Sequence, residues 1–195
     1  MNCTEACKDG NYGPGCVNNC SGHCLGDVLC NKQTGHCDTG CKPGYTGDLC
    51  DTACDRGYFG NQCKELCSKN CLNEKCSHID GVCKNGCKDG HIGERCNESC
   101  QPGYFGRKCS GICSHRCIST CRFTDGSCIC NHGWMGSNCS EECLQYYGEN
   151  CQIPCSEYCV NRTCDRFNGS CLAGCKGGAY GEKCDQDIKD NLQRR

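Results

Sequence analysis

Large apolar residues are scarce in this chain, with four Phe, one Trp and two Met among 195 residues. The hydrophobic fraction is 36%, but nearly half of that is cysteine. So little Leu, Ile, Val and Phe excludes one or two ordinary domains built on apolar cores, because burial would not offset the entropy of ordering the chain. No apolar run approaches the roughly 20 residues of a membrane span, so no membrane insertion is expected within this segment. The formal net charge is −2 with both signs interspersed. That balance provides no field to draw in nucleic acid. The opening Met-Asn-Cys-Thr-Glu-Ala-Cys has neither the basic nor the apolar region of a secretory leader.

Catalytic and metal signatures are missing as well. There is no G-x-S-x-G, H-E-x-x-H or phosphate-cradling glycine loop, so no enzyme, no catalytic residue and no cofactor are expected. Structural zinc favours C-x2-C pairs, often with paired histidines. Here the cysteines are mostly C-x3-C and the six histidines (His23, His36, His78, His91, His115 and His132) lie apart, so no metal is expected.

What is abundant is cysteine, 33 residues in all, a load typical of secreted disulfide scaffolds and tolerated in an oxidising compartment. The chain is therefore expected to be extracellular. A disulfide closing a loop of about ten residues contributes roughly 2.5–3 kcal/mol by the chain-entropy model. Several per repeat would replace the missing core.

The cysteines repeat. Cys7, Cys54, Cys100 and Cys143 open the same pattern, which accounts for every cysteine except Cys3. Cys3 stands before Cys7 as Cys50 stands before Cys54. It is expected to be the last cysteine of an upstream module, unpaired here, with both ends of the chain cut from something longer. The sharpest local motif is an eight-residue loop with two glycines around an aromatic. It reads CKPGYTGDLC (41–50), CDRGYFGNQC (54–63), CQPGYFGRKC (100–109) and CNHGWMGSNC (130–139). Looser copies close at Cys16, Cys96 and Cys184, and the copy from Cys143 to Cys151 is one residue shorter. The glycines permit positive φ in a tight turn. The aromatics Tyr45, Tyr58, Tyr104 and Trp134 are expected to cover the crosslink and pack on the neighbouring module.

These loops resemble the C-terminal loop of EGF-like modules. Two in tandem after a four-cysteine segment resemble the laminin-type EGF module. In series they resemble the ectodomains of class F scavenger receptors, Draper and the multiple-EGF-like-domain engulfment receptors. The fold so implied is small and disulfide-rich: tandem EGF-like (laminin-type) modules of short two-stranded hairpins and loops, almost no helix, in an extended rod. The expected organisation is a C-terminal module remnant at 1–16, laminin-type modules at 20–63, 67–109 and 113–151, a six-cysteine module at 155–184, and a charged tail or linker at 185–195.

Spacing alone leaves 105 pairings open for eight cysteines. Pairing carried over from the resemblance joins first with third, second with fourth, fifth with sixth and seventh with eighth. It implies Cys7–Cys16, then Cys20–Cys30, Cys24–Cys37, Cys41–Cys50 and Cys54–Cys63. Next come Cys67–Cys76, Cys71–Cys83, Cys87–Cys96 and Cys100–Cys109, followed by Cys113–Cys121, Cys117–Cys128, Cys130–Cys139 and Cys143–Cys151. The last module has Cys155–Cys164, Cys159–Cys171 and Cys175–Cys184. The chain departs from the family in the three-residue spacers between the first two cysteines of each module and, in three modules, between the fourth and fifth. The residues before Cys20 and Cys67 do not fit the calcium-binding EGF subclass.

Sequons occur at Asn2, Asn19, Asn97, Asn138, Asn161 and Asn168. Those with a central cysteine are expected to be poorly used, leaving Asn97, Asn161 and Asn168 as the glycosylation sites. The serine after each first cysteine (Ser21, Ser68, Ser114, Ser156) reads as a turn hydroxyl. By resemblance the chain is a ligand-binding and adhesion array, part of a scavenger or engulfment receptor ectodomain. Its partners would be protein or lipid ligands on cell or microbial surfaces. The alternatives are a secreted matrix or stalk spacer and part of a receptor tyrosine kinase ectodomain. Exposed contact candidates are Phe59, Phe105, Arg107 and Lys108, although packing at module joints is the favoured role for the two phenylalanines.

Overall fold

The computed structural model describes residues 6–187. Cys3, Asn2 and most of the 185–195 tail lie outside them. Two compact units divide at Ser99 and Cys100. The unit ending at Ser99 contains four antiparallel hairpins. They pair Asn11–Tyr12 with Asn18–Asn19, Tyr45–Thr46 with Thr52–Ala53, Tyr58–Phe59 with Glu65–Leu66, and His91–Ile92 with Glu98–Ser99. The unit beginning at Cys100 also has four. These pair Tyr104–Phe105 with Gly111–Ile112, Trp134–Met135 with Glu141–Glu142, Tyr146–Tyr147 with Ile153–Pro154, and Ala179–Tyr180 with Gln186–Asp187. Among the described residues there is no α-helix, only three-residue 3-10 turns. No helix among them is long and apolar enough to cross a membrane.

Strands of two residues cannot supply a core, and cysteine takes its place. Among the described residues, and with the single exception of Phe59, every buried residue of hydrophobic type is a cysteine. Sixteen disulfides close loops with sequence separations of 8 to 13 residues, and the Cα atoms they join lie 5.2–5.8 Å apart, within the usual range. They join Cys7–Cys16, the eight cysteines from Cys20 to Cys63 in 1–3, 2–4, 5–6, 7–8 order, and those from Cys67 to Cys109 and from Cys113 to Cys151 likewise. From Cys155 to Cys184 the order is 1–3, 2–4, 5–6. Successive crosslinks touch: Cys128 Sγ lies 3.4 Å from Cys139 Sγ, which belongs to the next disulfide.

The glycine-flanked loops all end alike. The closing cysteine donates its N–H to the carbonyl of the glycine three residues earlier, as Cys50 does to Gly47 (3.1 Å) and Cys109 to Gly106 (3.1 Å). That cysteine itself adopts positive φ, +53° at Cys50 and +54° at Cys109. An L-residue in that region costs about 1–3 kcal/mol, and here the crosslink and the turn hydrogen bond hold it there.

Candidate functional site: the joints and an aromatic groove

A second turn recurs between the second and fourth cysteines of each four-cysteine segment. Its glycines are Gly35, Gly81, Gly126 and Gly169, with φ between +75° and +81°. Each donates its N–H four residues back, to Asn31, Ser77, Arg122 and Asp165 at 2.8–2.9 Å. The side chain just before each glycine accepts from the backbone just after it. Asp80 takes Val82 N–H (3.1 Å), Asp125 takes Ser127 N–H (3.0 Å), Asn168 takes Ser170 N–H (2.9 Å) and Thr34 takes His36 N–H (3.2 Å). These hydrogen bonds hold the Asp80 carboxyl below the usual carboxylate range, first through Val82 N–H and then through the Ser77 hydroxyl. They do the same at Asp125, first through the Ser127 hydroxyl.

Each such glycine receives an aromatic ring from the preceding closing loop. A methyl group placed on Gly35 would lie 2.5 Å from Tyr12, and one on Gly81, Gly126 or Gly169 would lie 2.6 Å from Phe59, Phe105 or Tyr147. A backbone hydrogen bond pins each joint. Gly13, Gly60, Gly106 and Gly148 donate to the carbonyls of Lys32, His78, Phe123 and Arg166 at 2.9–3.1 Å. The arrangement occurs twice in each unit.

Phe59 and Phe105 therefore take the favoured role of packing at the joints and not the alternative one of exposed contact residues. Phe59 is 5% exposed, with Arg95 5.0 Å from its ring centroid, and Phe105 packs on Gly111 and Gly126. The outward residues are Tyr58 and Tyr104, 44% and 46% exposed, which corrects their expected packing role. A two-residue strand faces inward with only one of its residues, and in the closing loops it is the second. Arg107 and Lys108 occupy the following 3-10 turn.

In the other loop type the first strand residue faces inward and meets the residue three beyond the repeat's first cysteine. Tyr45 stacks on His23 at 3.7 Å between centroids, and His78 of the following repeat meets Tyr45 edge-on at 5.5 Å. His91 Nδ1 lies 3.2 Å from the Asn70 side-chain amide. Trp134 carries the Arg116 guanidinium 3.4 Å from its ring centroid and the Arg166 guanidinium at 4.5 Å; Arg166 also pairs with Glu142. In the last repeat that strand position is Ala179, which lines a small pocket together with Tyr158 and Gly177.

Around Tyr158 an open groove of about 530 Å³ is lined by Tyr146, Pro154, Glu157, Tyr158, Arg162 and Asp185, among others. Smaller grooves occur at the Ser114–Arg116 and Ser68–Lys69 segments, about 340 Å³ and 300 Å³, without a pair of aromatic walls.

The described sequon asparagines Asn19, Asn97, Asn138, Asn161 and Asn168 are all exposed. The four serines accept the N–H two residues on (His23, Asn70, Arg116, Tyr158) at 3.2 Å each, the turn role their position implies. Two clusters of cysteine sulfurs, Cys117–Cys128–Cys139 and Cys159–Cys171–Cys184, are close enough to resemble metal sites. Every one of these sulfurs is in a disulfide, so none offers the thiolate a metal requires.

The fold and the joints define a class: extracellular, disulfide-stapled repeats whose crosslinks stand in for a core. The laminin EGF domain family matches residues 18–71. With the same loop pattern continuing to Cys184, the chain is a tandem array of laminin-type EGF-like repeats. No curated protein matches the chain. Such repeats are structural and binding modules, and together with the disulfides they mark the chain as extracellular.

Proposed function

We propose that the chain is a surface-binding array within the ectodomain of a scavenger or engulfment receptor. The observation that carries this reading is a repeated exposed apolar pair. Tyr58 faces Leu66, Tyr104 faces Ile112 and Tyr146 faces Pro154 across three closing hairpins. All six side chains are exposed, Leu66 and Ile112 by 69% and 74%. The same register in the Cys7–Cys16 loop holds Asn11 and Asn19, joined by a side-chain hydrogen bond. Equivalent weak patches on one chain gain avidity through effective concentration, roughly 10²–10⁴-fold without any new contact. Module boundaries at 20–63, 67–109, 113–151 and 155–184, and glycans on Asn97, Asn161 and Asn168, belong to the same reading.

The close-packed glycine joints favour a second reading, a spacer whose repeats serve to hold other domains apart. Labelled chain offered to dying cells, modified lipoproteins and bacteria separates the two. The receptor reading expects saturable binding to at least one of these surfaces, weakened in the Tyr58→Ser/Tyr104→Ser double variant. No binding to any of them, by a chain with its disulfides intact, refutes that reading and leaves the spacer.

A further inference from the structure

The last repeat, Cys155–Cys184, differs from earlier repeats at two positions beside the groove, and both changes release side chains into it. The first is Ala179. In the three preceding repeats the residue three beyond the first cysteine is occupied by a large loop partner: His23 by Tyr45, Asn70 by His91, Arg116 by Trp134. Ala179 has no ring to offer. Tyr158 therefore rests against Gly177, its ring about 3.7 Å from where a Cβ there would sit, and remains 46% exposed. The second is Arg162. In the first two repeats its counterparts Asp27 and Glu74 are tied to Lys42 and Lys88, each the residue after the repeat's fifth cysteine; in the third the two places hold the uncharged Thr120 and Asn131. In the last repeat the residue after the fifth cysteine is Lys176, which shares the sign of Arg162 and cannot tie it. Among the described residues no ion pair is formed by Arg162, Glu157 or Asp185.

The groove thus gathers two half-exposed tyrosine rings, Tyr146 and Tyr158, and three charged groups that form no ion pair among the described residues, the carboxylates of Glu157 and Asp185 and the guanidinium of Arg162. Its volume lies in the range of small-ligand sites. Aromatic faces flanked by carboxylates recognise quaternary ammonium groups, which are too weakly hydrated to resist desolvation and are drawn to the ring quadrupole. A guanidinium recognises phosphate through paired N–H donors. A neutral sugar or a polyproline segment would use the rings but would leave both signs of charge unanswered. We propose that this groove binds a phosphocholine group, the trimethylammonium against Tyr146 and Tyr158 beside Glu157 and Asp185, and the phosphate on Arg162. The proposal deepens the reading of the chain as a surface-binding array, since it names the ligand chemistry of one site in it.

The test is calorimetric titration of the full chain with phosphocholine, choline and inorganic phosphate as separate probes. Saturable one-site binding is expected for phosphocholine, weaker binding for choline, and the weakest for phosphate. Arg162→Glu, which installs the residue of the Cys67–Cys109 repeat, should weaken phosphocholine by about tenfold or more while leaving choline nearly unchanged. Ala179→Tyr, which returns a partner to Tyr158, should weaken both probes. Tyr158→Ser serves the same purpose if Ala179→Tyr fails to form its disulfides. Lys84→Gln, exposed and outside the groove, should change nothing. The proposal is overturned if phosphocholine does not bind the oxidised chain at about 10 mM, if Arg162→Glu and Tyr158→Ser leave its affinity within about twofold, or if an oligosaccharide occupies the groove and phosphocholine does not displace it. Binding to dying cells or bacteria that persists in the Arg162→Glu/Tyr158→Ser chain, with phosphocholine binding absent from wild type, would sink this site and leave the array reading standing.

Discussion

Replacing Gly81 with alanine probes how one repeat is held to the next without touching a disulfide. Two costs combine at this position. Gly81 has φ of +75°, a conformation that costs an L-residue about 1–2 kcal/mol. The added methyl would also lie 2.6 Å from Phe59 Cζ, an overlap with a buried ring that forces repacking at about 1–3 kcal/mol. Together they weaken the joint by about 2–5 kcal/mol, or roughly 30- to 4,000-fold in its opening equilibrium. The reporter is the Gly60 amide, which donates to His78 carbonyl across the joint at 3.0 Å. Its hydrogen exchange reads local opening even while the crosslinks keep each repeat folded. Gly86→Ala is the control, because Gly86 has φ of +83° but nothing within 4 Å of the new methyl. It should strain its own turn and leave Gly60 protection within about threefold of wild type. Phe59→Ala should loosen the joint on its own, and adding Gly81→Ala to it should cost less than in the intact background, since the overlap has gone. Gly60 protection unchanged in Gly81→Ala would refute the ring-on-glycine joint.

Three further outcomes follow from the same contacts. Arg116→Gln removes the guanidinium 3.4 Å from the Trp134 ring and should cost about 1 kcal/mol; Trp134 is the only tryptophan, so its emission reports on this ring, and Arg166→Gln separates the part due to the second guanidinium at 4.5 Å. The carboxyls of Asp80 and Asp125 are held below their ordinary range by turn hydrogen bonds. The stability they give is present above the ordinary carboxylate pKa of about 3.9 and is lost as pH falls through the lowered folded-state values. Exchange at pH 2.5 against pH 6 should therefore loosen the Gly81 and Gly126 turns, and Asp80→Asn and Asp125→Asn, which keep an acceptor that does not titrate, should remove that pH dependence. Replacing Cys24 and Cys37 together by alanine removes a buried crosslink spanning 13 residues and should cost about 3 kcal/mol, read as a lower denaturant midpoint for the Cys20–Cys63 repeat.

The hairpins and the repeat were legible because cysteine spacing and paired glycines fix the backbone almost alone. Gly47 and Gly106, for example, set the turn that closes on Cys50 and Cys109. Which aromatic turns inward was not, because CKPGYTGDLC and CDRGYFGNQC differ little and a two-residue strand reverses its faces with a shift of one residue. A signal was present all the same. Tyr12, Phe59, Phe105 and Tyr147 put an aromatic in the second slot of every closing loop, and each is matched by a turn glycine in the segment that follows. The groove was hidden for a different reason. Ala179 and Arg162 are ordinary residues in sequence, and they matter only once Tyr45, Trp134, Asp27 and Glu74 are seen to occupy their counterparts' partners.

Every contact described, from the ring-on-glycine joints to the groove, depends on which cysteines are joined. Mass spectrometric mapping of the native, unreduced chain after proteolysis tests that most directly. The account requires Cys20–Cys30 with Cys24–Cys37, and the corresponding interleaved pairs starting at Cys67, Cys113 and Cys155, each followed by separate loops of seven or eight enclosed residues such as Cys41–Cys50. A peptide joining Cys20 to Cys24, or Cys63 to Cys67 across a repeat boundary, would contradict it.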